Sequence, residues 1–239
     1  GTWDKGLYIY HTQNNTFENV VADDNTKLAT NNFETACVDR DHNIWLGTFN
    51  EGLHVLYSKR KQFNPNKYFN QISKDEFINS ISSDSDGIFY FGSRYKGLIK
   101  ADPKTLSTIN YNTSNSNLKD NLITSSLLDT KGILWLGQTG VVQMFNPETE
   151  EFKTLETPAN YGEMISMTEF NGKIYICSRP SILVYNLKGQ LIEELKVAGY
   201  HTQQTVPLNK SELLICTYEK GIFIYNPETN KINEIIIFI

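Results

Sequence analysis

The sequence predicts an all-β fold assembled from tandem copies of one four-stranded unit, and three observations carry that expectation. A residue pair that follows an apolar run and opens with Gly or Cys recurs six times, as Gly1-Thr2, Gly47-Thr48, Gly92-Ser93, Gly137-Gln138, Cys177-Ser178 and Cys216-Thr217, at spacings of 46, 45, 45, 40 and 39 residues. Short apolar runs bounded by Asp, Asn, Gly and Pro read as strands. No stretch carries a convincing helical period. Four short strands per repeat are the signature of a β-propeller blade.

Within one repeat the elements follow a fixed order. A polar-apolar segment ending in Asp comes first, as in residues 79–84 and 122–129. A tight turn follows, Asp84-Ser85-Asp86-Gly87 or Asp129-Thr130-Lys131-Gly132. Its Asp side chain accepts from backbone amides two residues on, and its Gly supplies positive φ. The next run, Ile133-Leu134-Trp135-Leu136, is apolar without alternation, which marks a strand buried on both faces. Gly47 and its counterparts let neighbouring blades approach closely. A variable tripeptide then leads to a second short strand such as Gly221-Ile222-Phe223-Ile224-Tyr225. Turns such as Asn146-Pro147-Glu148-Thr149 and Asn226-Pro227-Glu228-Thr229, where the fixed φ of Pro suits the bend, lead to the last strand.

This register divides the chain into a partial blade at 1–20 and successive blades at 21–68, 69–112, 113–155, 156–197 and 198–239. Gly1-Thr2-Trp3-Asp4-Lys5-Gly6-Leu7 matches Gly47-Thr48-Phe49-Asn50-Glu51-Gly52-Leu53, so the chain opens in the middle of a repeat. About five and a half blades, with an outer strand at the C-terminus, predict a piece of a larger ring, or an open arc, within a longer protein.

Composition bounds the function. Net charge is −5 and charged residues are 21% of the 239, with Lys and Arg scattered apart from Lys59-Arg60-Lys61, which reads as a solvated turn. Broad attraction to nucleic acid or anionic membrane is therefore not expected. The longest purely apolar run, Ile235–Ile239, is far short of the ~20 residues that span a bilayer, so membrane attachment would lie outside the chain. Three cysteines, Cys37, Cys177 and Cys216, cannot all pair, and two of them stand where other repeats place Gly. They read as free thiols packed as small apolar groups.

The motif resembles the two-component regulator propeller repeat, roughly Asp-x-x-Gly-x-Leu-Trp-x-Gly-Thr-x-x-x-Gly-Leu. Residues 129–137 match its first half, and 39–53 match nearly throughout, with Asn43 read in place of the turn Gly. Residues 84–98 keep the glycines but replace Leu-Trp with Phe-Tyr, and the last two copies lack Trp and carry Cys for Gly. The resemblance implies the periplasmic sensor portion of a hybrid histidine kinase of the kind common in gut Bacteroides. It further implies partner domains of the same receptor, further propeller blades and a β-sandwich, in a receptor homodimer. The implied signal is an oligosaccharide and the implied output is control of polysaccharide-utilisation genes. Nothing in the chain resembles a kinase, receiver or DNA-binding module.

Candidate ligand contacts lie in the variable tripeptides, which are Trp3-Asp4-Lys5, Phe49-Asn50-Glu51, Arg94-Tyr95-Lys96, a shortened Thr139, Arg179-Pro180 and Tyr218-Glu219-Lys220. These connections gather on one face of a propeller with the inter-blade loops, here Asn31-Asn32-Phe33, Asn115-Ser116-Asn117 and Tyr200-His201-Thr202-Gln203. Aromatic faces beside charged and amide groups suit sugar rings, which present C–H faces and directional hydroxyls.

A propeller lyase or glycosidase acting on a carbohydrate, or a purely protein-binding propeller, are the alternatives. Asp4, Glu51 and Glu219 occupy equivalent loops without a marked carboxylate pair, and Arg94, Lys96, Arg179 and Lys220 are the cations a lyase would use. His11, His42, His54 and His201 show no metal-ligand spacing, and one or two carboxylates per Asp-x-x-Gly turn fall short of calcium's six or more oxygens. The expectation is a binding module with no cofactor, no metal and no catalytic group.

Overall fold

The computed structural model describes residues 4–11, 16–23, 28–39, 41–49, 51–56, 63–65, 76–197, 201–218 and 220–235. They fall into two compact units, Gly1–Ile123 and Thr124–Ile239. The described residues form no helix.

The first unit holds a two-stranded sheet, Leu7–His11 with Thr16–Val20, and two four-stranded sheets. One of these is Phe33–Val38, Ile44–Thr48, Leu53–Leu56 and Phe63–Pro65, and the other is Ile78–Ser83, Phe89–Ser93, Leu98–Asp102 and Ser107–Tyr111. The second unit holds three. Its first sheet is Ser125–Leu128, Leu134–Gly137, Val142–Asn146 and Glu151–Thr154, and its second is Ser166–Phe170, Lys173–Cys177, Ile182–Asn186 and Leu191–Leu195. The last is Thr202–Pro207, Leu213–Thr217, Ile222–Asn226 and Lys231–Ile235. In every four-stranded sheet each strand pairs antiparallel with its neighbour in sequence. This is the blade topology of a β-propeller, as the repeat predicts.

Burial follows the sequence pattern. Leu134–Gly137 and Phe89–Ser93 are buried along their whole length, as their unbroken apolar runs predict. In the first unit Trp45, Val55, Ile78, Phe89, Phe91 and Ile99 share one apolar cluster. In the second, Tyr175, Val184, Leu213, Ile215 and Tyr225 share another.

Glycines mark the close approach of blades. A Cβ on Gly47 would lie 3.0 Å from the Ile78 carbonyl oxygen, and one on Gly92 would lie 2.6 Å from Ile123 Cγ2. On Gly137 it would meet Met164 Cβ at 2.6 Å. Cys177 takes the same place in its blade, and its thiol is free and fully buried. Burial pushes that thiol up to about 11.

The recurring Asp has a larger role than the turn alone. In one copy Asp129 Oδ1 accepts from the amides of Lys131 and Ile133, while Oδ2 accepts from Trp135 Nε1 at 2.8 Å. Asp39 repeats the arrangement with the amides of Asp41 and Asn43 and with Trp45 Nε1 at 2.8 Å. Asp84 does so with Asp86, Ile88 and, at 2.9 Å, the hydroxyl of Tyr90. The Asp and the ring six residues on are thus one device, and Tyr substitutes for Trp because its O–H reaches the same oxygen. At Asp39 burial alone would raise the carboxyl, but the bonds from Trp45, Asn43 and Asp41 outweigh it and hold the group below its usual range.

One expectation needs correction. The residue in the turn-glycine position of the 39–53 copy is His42, with φ of 60°, matching Gly87 at 86° and Gly132 at 78°. Asn43 instead occupies the place of Ile88 and Ile133, and its amide donates to the Asp. The Asn-Pro-Glu-Thr turns form as expected. Asn146 Oδ1 accepts from Glu148 and Thr149, and Asn226 Oδ1 accepts from Glu228 and Thr229.

Candidate functional site

In three copies the hydroxyl residue after the glycine or its Cys counterpart shapes the loop that follows. Ser93 Oγ accepts from the amides of Tyr95 and Lys96 at 3.0 and 2.7 Å. Thr48 Oγ1 accepts from Glu51 and donates to the Gly52 carbonyl, and Thr217 Oγ1 accepts from Lys220 and donates to the Gly221 carbonyl. Each of these connections is thereby wrapped around one hydroxyl.

The inter-blade segments hold the same loops from below. The amides of Phe49, Arg94 and Tyr218 donate to the carbonyls of Asn32, Phe77 and His201. Those three carbonyls precede or open the first strand of a blade, where the pairing shifts register at Phe33/Thr35, Ile78/Ser80 and Thr202/Gln204. A bulge there bends the strand end toward the loop it supports.

In the first unit this framework brings several expected residues together. Phe49 meets Phe77 edge to face at 4.4 Å between centroids, and Phe77 meets Tyr95 in the same way at 5.6 Å. The guanidinium carbon of Arg94 lies 5.8 Å from the Phe77 centroid and 5.9 Å from that of Tyr95, within cation–π range of both. Tyr95 remains 59% exposed. Arg94 and Lys96 are exposed beside it.

The anchor of the group is Glu76, which is only 2% exposed. Its carboxylate accepts from Ser93 Oγ at 2.7 Å and from the Tyr95 amide at 3.2 Å, and it pairs with Lys96 Nζ at 3.3 Å. A buried charge persists only when so compensated. Sequence reasoning missed both Glu76 and Phe77, which sit in the segment before a first strand. An acidic-aromatic pair at the position of Asn31-Asn32 was the available signal.

Asp4 and Lys5 are exposed and 3.5 Å from each other, and the Asp4 amide donates to Asn32 Oδ1. Glu51 is exposed in its own loop. Arg179, Tyr218 and Lys220 are exposed in the second unit, with Tyr218 at 72%. Trp3, Asn50 and Glu219 lie outside the described residues.

Two expected loop residues are not available as contacts, because Phe33 and Thr202 are buried. Several asparagines act as braces. Asn31 Oδ1 accepts from Ala22, and Asn115 Nδ2 donates to the Asn110 carbonyl.

Comparison with known proteins agrees with this architecture. The family model described as "Two component regulator propeller" matches residues 27–50, the stretch that contains Asp39, Trp45 and Gly47. The fold is similar to that of a part of the extracellular domain of the hybrid two component system BT4673 from B. thetaiotaomicron, with a TM-score of 0.79 at 16% identity over 98% of this chain. The extracellular domain of BT3049 from the same organism gives 0.75 at 18% identity over 94% of the chain. The chain spans 31% of the length of each. No match is found among the curated proteins.

Proposed function

We propose that the chain is a ligand-sensing segment of the extracytoplasmic part of a bacterial hybrid two-component sensor, responding to an oligosaccharide. The observation that carries the reading is the Phe49, Phe77, Arg94 and Tyr95 group, held on a built loop by buried Glu76. An exposed aromatic face flanked by directional donors suits a sugar ring, and nothing in blade packing requires it there. The fold shared with two extracellular domains of hybrid two component systems supports the setting.

On this reading the blades at 1–20, 21–68, 69–112, 113–155, 156–197 and 198–239 belong to a larger, seven-bladed ring on the periplasmic side of the inner membrane. The remaining blades, a β-sandwich, the membrane anchor and the kinase belong to other parts of a homodimeric receptor. The output is transcription of polysaccharide-utilisation genes, and this segment performs no catalysis.

The test is a thermal-shift screen of this chain and of the longer extracellular region against defined oligosaccharides. A ligand at 100 times its Kd should add about 2.7 kcal/mol to folded-state stability. Stabilisation of both proteins supports the loop assignment. Stabilisation of the longer protein alone makes these blades scaffold, and turnover of the sugar by this chain moves it to the enzyme class.

A further inference from the structure

We propose that the Arg94 loop takes an acidic sugar, through a carboxylate or sulfate group placed against the guanidinium. This deepens the sensing reading and rests on it.

The loop cations of the first unit differ in how their charge is met. Lys5 lies 3.5 Å from the Asp4 carboxylate and Lys96 lies 3.3 Å from that of Glu76. Arg94 lies against two aromatic rings instead, and among the described residues no carboxylate forms an ion pair with it. Rings attract a cation but accept none of its in-plane N–H donors, so the fork remains available to a planar or tetrahedral anion.

The rings also hold the guanidinium in place. Phe77 is itself packed edge-on by Phe49, and the amide of Arg94 donates to the Phe77 carbonyl, so main chain and side chain dock on one residue. Glu76 satisfies Lys96 and fixes the turn through Ser93 and the Tyr95 amide. It thereby removes one positive charge from the site and leaves that of Arg94. A pre-oriented guanidinium loses little freedom on binding, and the adjacent exposed Tyr95 face offers a platform for the ring that carries the anion.

The experiment pairs acidic tetrasaccharides with their neutral counterparts. Uronate-bearing members are compared with carboxyl-reduced forms, and sulfated members with desulfated forms, by titration against wild type, Arg94→Gln and Arg94→Lys. At least one acidic member should bind about tenfold more tightly than its neutral form at low salt, a preference set by charge-assisted hydrogen bonds. Which pair shows it identifies the anion. Arg94→Gln should abolish the preference, Arg94→Lys should keep part of it, and unchanged melting temperatures should show that both variants fold. Neutral members binding as well as acidic ones, or a preference that survives Arg94→Gln, would overturn the inference while leaving the sugar site standing. No binding by any member would overturn both.

Discussion

The blade at residues 78–111 and the blade at 166–195 solve the same packing problem with different chemistry. In the first, Asp84 closes the turn and holds the Tyr90 hydroxyl, and Gly92 lets Ile123 of the next segment come close. In the second, Tyr175 stands in the place of Tyr90, the turn is Asn171-Gly172 with φ of 49° and 69°, and Cys177 replaces the glycine. There Tyr175 packs edge-on against Phe170 and Tyr225. The loops differ in parallel. Arg94-Tyr95-Lys96 wraps around Ser93, whereas the Arg179-Pro180 connection is shorter, and the Ser178 hydroxyl donates to the Glu163 carbonyl. These two blades share a buried ring and a small residue at fixed positions, the last blade has Leu214 in the place of the ring, and the polar device that fixes the ring is dispensable.

The largest effect expected is from Trp135→Ala, which empties a fully buried site and strips Asp129 of its ring donor. Denaturant unfolding should show a loss of about 3–5 kcal/mol. Gly92→Cys writes the residue of the 166–195 blade into the 78–111 blade. Its side chain would meet Ser80 and Ile123, so a loss of about 1–3 kcal/mol is expected in the same assay. A neutral outcome would mean that the blades are spaced more loosely there than the glycine implies.

Much of the framework was legible because it repeats. The strand order and the turn residues follow from the spacing of Asp, Gly and the apolar runs, since backbone geometry leaves few alternatives at those points. The place of His42 was legible from spacing, since Asp-x-x-Gly counted from Asp39 ends on it, and reading Asn43 there followed residue type over register. The candidate site was read in part. Arg94, Tyr95 and Lys96 were expected only as one of several equivalent loops that pair an aromatic with charges. Glu76 and Phe77 were not expected, because a Glu before a strand reads as solvated until folding brings Ser93 and Lys96 against it.

Two smaller effects sharpen the comparison. Tyr90→Phe removes a donor from Asp84 Oδ2, and it should cost about 1 kcal/mol more than Tyr175→Phe, which breaks no comparable carboxylate bond. Burial pushes Cys37 and Cys177 up to about 11, against an ordinary thiol near 9.0. The folded state binds these protons more tightly, so the contribution is whole below pH 9 and is lost as pH rises toward 11. Unfolding midpoints measured across that window should fall, and Cys177→Ala should flatten part of the fall.

The central claim is that the Tyr95 face of the first unit binds the ligand. Calorimetric titration of wild type and Tyr95→Ala, with the oligosaccharide that most stabilises the protein, tests it most directly. Because Tyr95 is exposed, its loss should leave the melting temperature unchanged, and affinity should fall about tenfold, roughly 1.4 kcal/mol. Equal affinities in the two proteins would contradict the account and return this face to the role of scaffold.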